Sequence, residues 1–334
     1  MSRKTNKCEA PSWAVAVTVI LSACVTLPSC NDEPKPLGEA DRAVKAAFVP
    51  AGYYLPFLIM EHDGLLEKRG YSVSLAQYND NTHMVNLFLN GHLDVAAQSA
   101  MTMFPVEQEH PGLFKFLYAQ YNNSYYYVVP KNSPINHLRD LKGKKIGIWR
   151  SLTAEAYVKL TLARIGLRYD KEPKDYDFQA FGANDLTAAM ENGKVEVLFG
   201  FDTQVAKLVS SGNFRYLEED AINNLMPDGC QVFNGGAFIR TRLITENQRK
   251  ARAIRDAFFE AIESIRRDPE RAKLILLDRV KMDRKLAPDL RLDTFTWPNE
   301  QSMTSAERTF GLLKDHNVMT GEINIRGLFW MPRD

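Results

Sequence analysis

Twice along this chain an apolar strand pattern gives way to a helical pattern and returns, and the second run restarts the first. The first run opens with an apolar strand at 44–49, broken by Pro50, Ala51 and Gly52. Pro56 suits a first helical position, and Leu58/Leu65 and Ile59/Leu66 repeat at helical spacing towards an end at Gly70. An alternating strand follows at 71–78, then a helix capped by Asn81 or Thr82 and stopped by Gly91. A strand at 93–97, a helix at 101–108 and a strand at 113–120 complete the run. The second run has KKIGIW at 144–149, a helix at 153–165 ending before Gly166, and a strand at 178–181. A helix capped by Asn184 and ended by Gly193, then VEVLFGF at 195–201, close it, with Asp202 placed to cap the next helix. Such alternation predicts parallel strands covered by helices. Two runs in tandem predict two α/β units, with YYYVV at 125–129 as a connecting strand. The last third reads as mainly helical. Its stripe Ile254, Phe258, Ala261, Ile262 and Ile265 is core packing on one helix face, which Asp268-Pro269 ends.

The first 42 residues follow different rules. Arg3, Lys4 and Lys7 precede WAVAVTVIL at 13–21, an uncharged run too short to span a bilayer comfortably. A basic start, a short apolar centre and a small-residue exit describe a secretory signal peptide over 1–23. The exit Leu21-Ser22-Ala23-Cys24 resembles the bacterial lipobox, in which the cysteine thiol takes a diacylglycerol and becomes the mature N-terminus. Leu27-Pro28-Ser29-Cys30 is a second match, so Cys24 is the expected lipidation site and Cys30 its alternative. Residues 24–42, polar and containing two prolines and a glycine after Cys30, read as an extended tether. Once this segment is set aside, Cys230 is the one cysteine left, so the globular part has no internal disulfide framework.

About 300 residues remain, enough for two domains. The formal net charge of the whole chain is +1 and there is no long basic run, which argues against nucleic acid. A monomer is expected.

Four segments carry a family resemblance: FLIMEHDGLLEKRGYSVSL, NLFLNGHLDVAAQSA, LRDLKGKKIGIWRSLTAEAYVKLTLARIGL and NDLTAAMENGKVEVLFGFD. In their order and spacing they resemble the solute-binding lipoproteins of ABC importers, in the branch that handles nitrate, alkanesulfonates, taurine and thiamine-pyrimidine precursors. The resemblance implies an α/β, two-lobed type II periplasmic-binding-protein clamp. Each lobe would be a mixed, mainly parallel sheet flanked by helices, with extra C-terminal helices. It places lobe one at 43–129 plus 230–334 and lobe two at 130–229. It implies a lipid-anchored protein, periplasmic or at the cell surface of a bacterium. Such a protein would hand a small polar ligand to an ABC permease and its ATPase, with no cofactor. The chain departs from the family at Glu196-Val197, where Asp-Ala is frequent, and at Asp202, where a proline often follows the strand.

In open α/β sheets ligands sit beyond the C-terminal strand ends, against helix N-termini. That rule selects Tyr53 and Tyr54 after the first strand, Asn81 and Thr82 after the second, and Gln98 and Ser99 after the third. In the second unit it selects Trp149, Arg150, Ser151 and Thr153, and then Asp202. Thr82, Ser151, Thr153 and Asp202 are equally suited to capping helices. Asp202 would repel an anion unless Arg150 paired with it, and would suit an amino-bearing ring. The six histidines form no HExxH, there is no GxSxG elbow or P-loop, and the NGG at 234–236 lacks dinucleotide-fingerprint spacing. No enzyme and no metal site are expected. Two alternatives stay open: a ligand-sensing clamp docked on a membrane receptor, and an enzyme of the pyrimidine-precursor synthase type.

Overall fold

The computed structural model describes residues 38–49, 51–78, 81–121, 125–217, 221–226 and 229–331. The signal peptide expected at 1–23, both lipidation candidates Cys24 and Cys30, and the tether up to residue 37 lie outside them. Within the expected tether, Glu39–Arg42 is instead a helical turn, α1, that runs directly into β1 (Ala43–Phe48).

A 3-10 turn at Gly52–Tyr54 leads to α2 (Leu55–His62), then β2 (Ser72–Gln77), α3 (Asn81–Leu89), β3 (Val95–Ser99) and α4 (Ala100–Glu109). The strand expected at 113–120 is two short ones, β4 (Phe114–Phe116) and β5 (Ala119–Tyr121). The second run gives β6 (Tyr125–Pro130), β7 (Lys145–Trp149), α5 (Leu152–Arg164), β8 (Asp177–Phe181), α6 (Ala183–Glu191), β9 (Val197–Phe201), α7 (Asp202–Ser210) and β10 (Phe214–Tyr216). The chain then forms β11 (Phe233–Arg240), α8 (Thr241–Glu246), α9 (Gln248–Arg267), α10 (Pro269–Arg279), β12 (Thr294–Thr296) and α11 (Glu300–Asp315).

The strands make two mixed sheets. The first has the order β12-β5-β11-β3-β1-β2, with β4 also on β11. Its β1 is parallel to β2 and β3, as strand–helix–strand connections require. Its other half is antiparallel, because β11 enters from the distant C-terminal part and pairs with β3, β4 and β5. The second sheet runs β10-β6-β9-β7-β8, parallel at β8-β7-β9 and antiparallel at β9-β6-β10. So β6, read as a connector, is an interior strand of the second sheet. Its Tyr127, Val128 and Val129 are almost fully buried.

The first sheet closes around β11, a strand in a region that reads as mainly helical. Its middle is Asn234-Gly235-Gly236, and both glycines are required by close approach. A Cβ on Gly236 would lie 2.0 Å from the Tyr118 carbonyl oxygen, and one on Gly235 would lie 2.2 Å from that of Gln98. Leu117 N donates to Ala237 O at 2.8 Å, which marks the bend between β4 and β5. The predicted stripe of α9 is buried as expected, and Phe258 meets Phe57 of α2 edge-on at 4.7 Å. At the N-terminal end of β1, Lys250 Nζ donates to Ala43 O at 2.6 Å and to Asp94 Oδ2 at 2.9 Å.

Residues from Gly38 onward form one compact unit. Beyond the two chain crossings between the sheets, a C-terminal segment also bridges them. The 3-10 stretch Arg284–Asp289 packs on α7, where Ser210 Oγ donates to Asp289 Oδ2 at 2.6 Å and the Tyr216 hydroxyl donates to Asp289 O at 2.7 Å. Arg291 lies over the rings of Tyr216 and Tyr126, 4.0 and 4.4 Å from their centroids.

Candidate functional site

Buried polar side chains concentrate where the C-terminal strand ends of the two sheets meet. From the first sheet come Gln98 and Ser99 at the end of β3, Gln120 on β5, Asn234 on β11 and Asp293 just before β12, all under a tenth exposed. From the second come Thr153 in the first turn of α5 and Asp202 in the first turn of α7. Hydrogen bonds between described residues join the two sides here. Gly52 N donates to Asp202 Oδ2 at 2.9 Å, Thr153 Oγ1 to Ser99 Oγ at 3.1 Å, and the Tyr157 hydroxyl to Asn234 Oδ1 at 3.0 Å.

Local sequence explains each placement. Ser99 caps α4, accepting from Thr102 N at 3.3 Å, and Ser151 caps α5, accepting from Ala154 N at 3.1 Å. The capping role and the inter-sheet role therefore coexist in Ser99. Asp202 follows an extended Phe201 and sits at φ 24, a left-handed value that aspartate tolerates better than most residues. Its Oδ1 accepts from Thr203 N while its Oδ2 reaches across to Gly52 N. A Cβ at residue 52 would lie 3.1 Å from that oxygen, so glycine permits the approach.

Asp202 is 3% exposed, and burial pushes its carboxyl up to about 6. Asp293 pushes it the same way, while the donated amides of Thr203 and Gly52 pull it down. Burial likewise raises the phenols of Tyr53, Tyr118 and Tyr125 well above their ordinary value, so all three are neutral hydrogen-bonding groups at physiological pH. Gly236 N donates to the Tyr53 hydroxyl at 3.1 Å, and Gln120 Nε2 donates to Asp293 Oδ2. Gln98 Nε2, the Tyr118 hydroxyl and Gln120 Oε1 are buried without a hydrogen-bond partner. Buried polar atoms are normally paired, so three unpaired ones near one junction mark a place for a polar guest or water.

The predicted residues divide. Tyr53, Gln98, Ser99, Thr153 and Asp202 come together here, with Ser151 beside them. Tyr54 turns into the first sheet's core, its hydroxyl donating to Ala97 O at 3.0 Å and its ring packed on Phe57 and Phe48. Trp149 is half-buried against Phe201, with ring centroids 5.0 Å apart, and joins the second sheet's apolar cluster. Arg150 is exposed and does not pair with Asp202. Asn81 opens α3, but the side chains of Asn81 and Thr82 lie outside the described residues. Sequence reasoning missed Gln120, Asn234, Asp293, Tyr118, Tyr125 and Tyr157. For Asn234 the signal was the NGG itself: a strand broken by two glycines signals close backbone approach.

Among the described residues, no helix is long and apolar enough to cross a membrane, and no group of three His, Cys, Asp or Glu is placed to hold a metal ion. Cys230 is a free thiol whose Sγ lies 3.2 Å from Ser305 Oγ.

The family model described as NMT1/THI5 like matches residues 52–272. A search of curated proteins finds no match. Solved structures do match. The periplasmic aliphatic sulphonate-binding protein SsuA of Escherichia coli is 18% identical, with a TM-score of 0.69 over 86% of this chain and 97% of that one. The alkanesulfonate-binding protein SsuA of Xanthomonas axonopodis pv. citri, bound to MOPS, is 14% identical, with a TM-score of 0.69 over 87% and 98%. The desulfurization enzyme DSZB is 12% identical, with a TM-score of 0.69 over 87% and 96%. The same fold thus serves binding proteins and an enzyme, and this chain has the two-sheet α/β fold of periplasmic binding proteins.

Proposed function

Because the chain belongs to the NMT1/THI5-like family, we propose that it is an extracytoplasmic solute-binding lipoprotein that captures a small polar organic ligand between its two α/β halves and delivers it to an ABC permease. The observation that carries this reading is the inter-sheet junction itself. Its polar side chains are buried, they come from both sheets, and Gln98 Nε2, the Tyr118 hydroxyl and Gln120 Oε1 have no partner. A junction evolved only for packing would be apolar or fully paired. The halves follow the sheets: strands from 43–121 and 233–296 form one, and strands from 125–216 the other.

The mechanism is a shift between two arrangements. In the described arrangement the halves touch through the Gly52–Asp202, Ser99–Thr153 and Asn234–Tyr157 hydrogen bonds. Entry of solute requires these to part. A solute that contacts both halves then favours reclosure, by as much as it binds the closed arrangement more tightly. The closed form is the one a permease would recognise. The lipid on Cys24, or on Cys30, would hold the protein at the outer face of a membrane as a monomer.

Thermal melting of the full-length protein tests the reading, with sulfonates, nitrate, pyrimidines, flavins and amines each added over a concentration series. A captured solute raises the melting temperature with concentration, by about 2.7 kcal/mol of stability at a hundred times its Kd. Equal protection of the Gln98→Ala and Asn234→Ala variants by the same compound would place binding elsewhere and sink the assignment of this site. Palmitate labelling of Cys24→Ser and Cys30→Ser cells assigns the anchor.

A further inference from the structure

Resting on the lipid-anchored reading, we propose that the N-terminal end of β1 and β2, together with the start of α9, docks on the anionic phospholipid headgroups of the membrane that holds the anchor. An open cavity of about 520 Å³ lies there, lined by Arg69, Tyr71, Gln248, Arg249, Arg252 and Asp256. It adjoins the place where the tether enters the fold. Arg42 ends α1, and the next residue, Ala43, pairs with Ser72, the neighbour of Tyr71. Lys250 of α9 holds the Ala43 carbonyl, Nζ to O at 2.6 Å. An extended chain from Cys24 to Gly38 reaches at most about 50 Å, so the anchor keeps this end of the fold within reach of the bilayer.

The chemistry of this groove asks for an anion. Helix starts favour acids, yet the first turn of α9 has none and carries Arg249 and Lys250. Lys250 is engaged with Asp94. Arg249 is exposed and has no ion pair among the described residues. Of the nearby acids, Asp256 accepts from Arg255 Nε at 3.2 Å and Glu260 accepts from Arg69 Nη2 at 2.8 Å. Asp41 and Arg42, both exposed in α1, offset each other. Tyr71 is a second, independent sign. It is 3% exposed, and its hydroxyl is buried without a hydrogen-bond partner. A phosphodiester offers acceptors and no donor, so it can meet a phenol, guanidinium groups and the first amides of a long helix together. Docking by this face leaves the polar junction, gathered at the C-terminal strand ends, on the side remote from the bilayer. The docked state is then the one that loads solute, and delivery to a permease requires release.

Co-sedimentation of the full-length Cys24→Ser/Cys30→Ser protein, which carries no lipid, tests this. Vesicles of equimolar phosphatidylglycerol and phosphatidylcholine are compared with vesicles of phosphatidylcholine alone. The leader is common to every variant, so differences between variants read the docking face. Arg249→Ala and Arg252→Ala are each expected to lower partitioning onto the anionic vesicles about fivefold. Both side chains are exposed, so their loss spares the fold. Lys131→Ala, just after β6 in the second sheet, is expected to leave partitioning unchanged. Tyr71→Phe is expected to weaken vesicle binding without lowering the melting temperature, because the lost hydroxyl pairs with nothing in the fold. Partitioning that ignores Arg249→Ala and Arg252→Ala overturns the docking face while the anchor stands. If inorganic phosphate binds in calorimetry and loses binding in Arg249→Ala, with no preference between the two vesicles, the groove takes a free anion and the membrane assignment is overturned. Absence of palmitate label from wild-type cells fails the anchor reading, and the docking proposal with it.

Discussion

Two buried charges, one at the N-terminal end of β1 in the first sheet and one just beyond the C-terminal end of β9 in the second, have opposite surroundings. At the N-terminal end of β1, Lys250 is 6% exposed and meets a carboxylate, Asp94, whose Oδ2 also accepts from Lys45 N at 3.0 Å. Beyond the C-terminal end of β9, Asp202 is 3% exposed and meets backbone amides and a second carboxylate's field. The first charge is neutralised by the fold and holds α9 against the sheet. The second is not neutralised by the fold, so it is carried as a stability cost that a ligand or a proton relieves. A complete pair is architecture; an incomplete one is an opening for chemistry.

The largest test of that contrast is the pH dependence of the ligand-free protein. The Asp202 carboxyl lies at about 6 in the fold, above its ordinary 3.8. Between those values the folded state keeps a proton that the unfolded state has released. Stability is therefore expected to fall as pH rises from about 4 to 6 and to level off above, by on the order of 3 kcal/mol, at about 1.4 kcal/mol per pH unit. Urea unfolding of wild type and Asp202→Asn across this range isolates the effect as their difference. A constant difference would mean that Asp202 is as well matched as Asp94.

Next in size is Lys250→Met. Removing the cation strands Asp94, whose side chain is about a fifth exposed, so a loss of about 2 kcal/mol is expected, below the full cost of breaking a wholly buried pair. The same urea midpoints measure it, and a neutral or stabilising outcome would erase the distinction between the two ends. Thr153→Val removes the donor to Ser99 and is expected to cost about 1 kcal/mol of closure. Small-angle scattering of the ligand-free protein should then show a larger radius of gyration. Smallest is Arg291→Ala, which loses the stacking on Tyr126 and Tyr216 and should cost about 0.5 kcal/mol in melting experiments. If it instead matched Thr153→Val, the C-terminal bridge would hold the halves together as firmly as the polar junction does.

Much of the site was legible because its residues follow strands that the sequence announces. Gln98 and Ser99 follow an apolar run, and Thr153 and Asp202 each stand at the start of a helix after one. Rules of strand ends and helix starts act over a few residues, and these positions needed nothing more. Tyr53 and Tyr54 show where such rules stop: adjacent in sequence, one offers its hydroxyl to Gly236 N and the other donates to Ala97 O inside the core. The 3-10 turn that separates their directions is set by packing. Gln120, Asn234 and Asp293 were invisible for a different reason. They reach the junction on β5, on β11 and just before β12, and those pairings join segments more than a hundred residues apart.

What the sequence determined alone is the local alternation: which stretches pair as buried strands, which turn as helices, and which polar residues stand at their junctions. Apolar periodicity and capping are short-range physics, so no partner segment is needed to read them. The tertiary structure decided the rest. It inserted β11 between β3 and β5, made β6 an interior strand of the second sheet, and buried Asp202 against the backbone amides of Gly52 and Thr203. Burial and charge balance depend on everything packed around a group, and only the assembled fold supplies those surroundings.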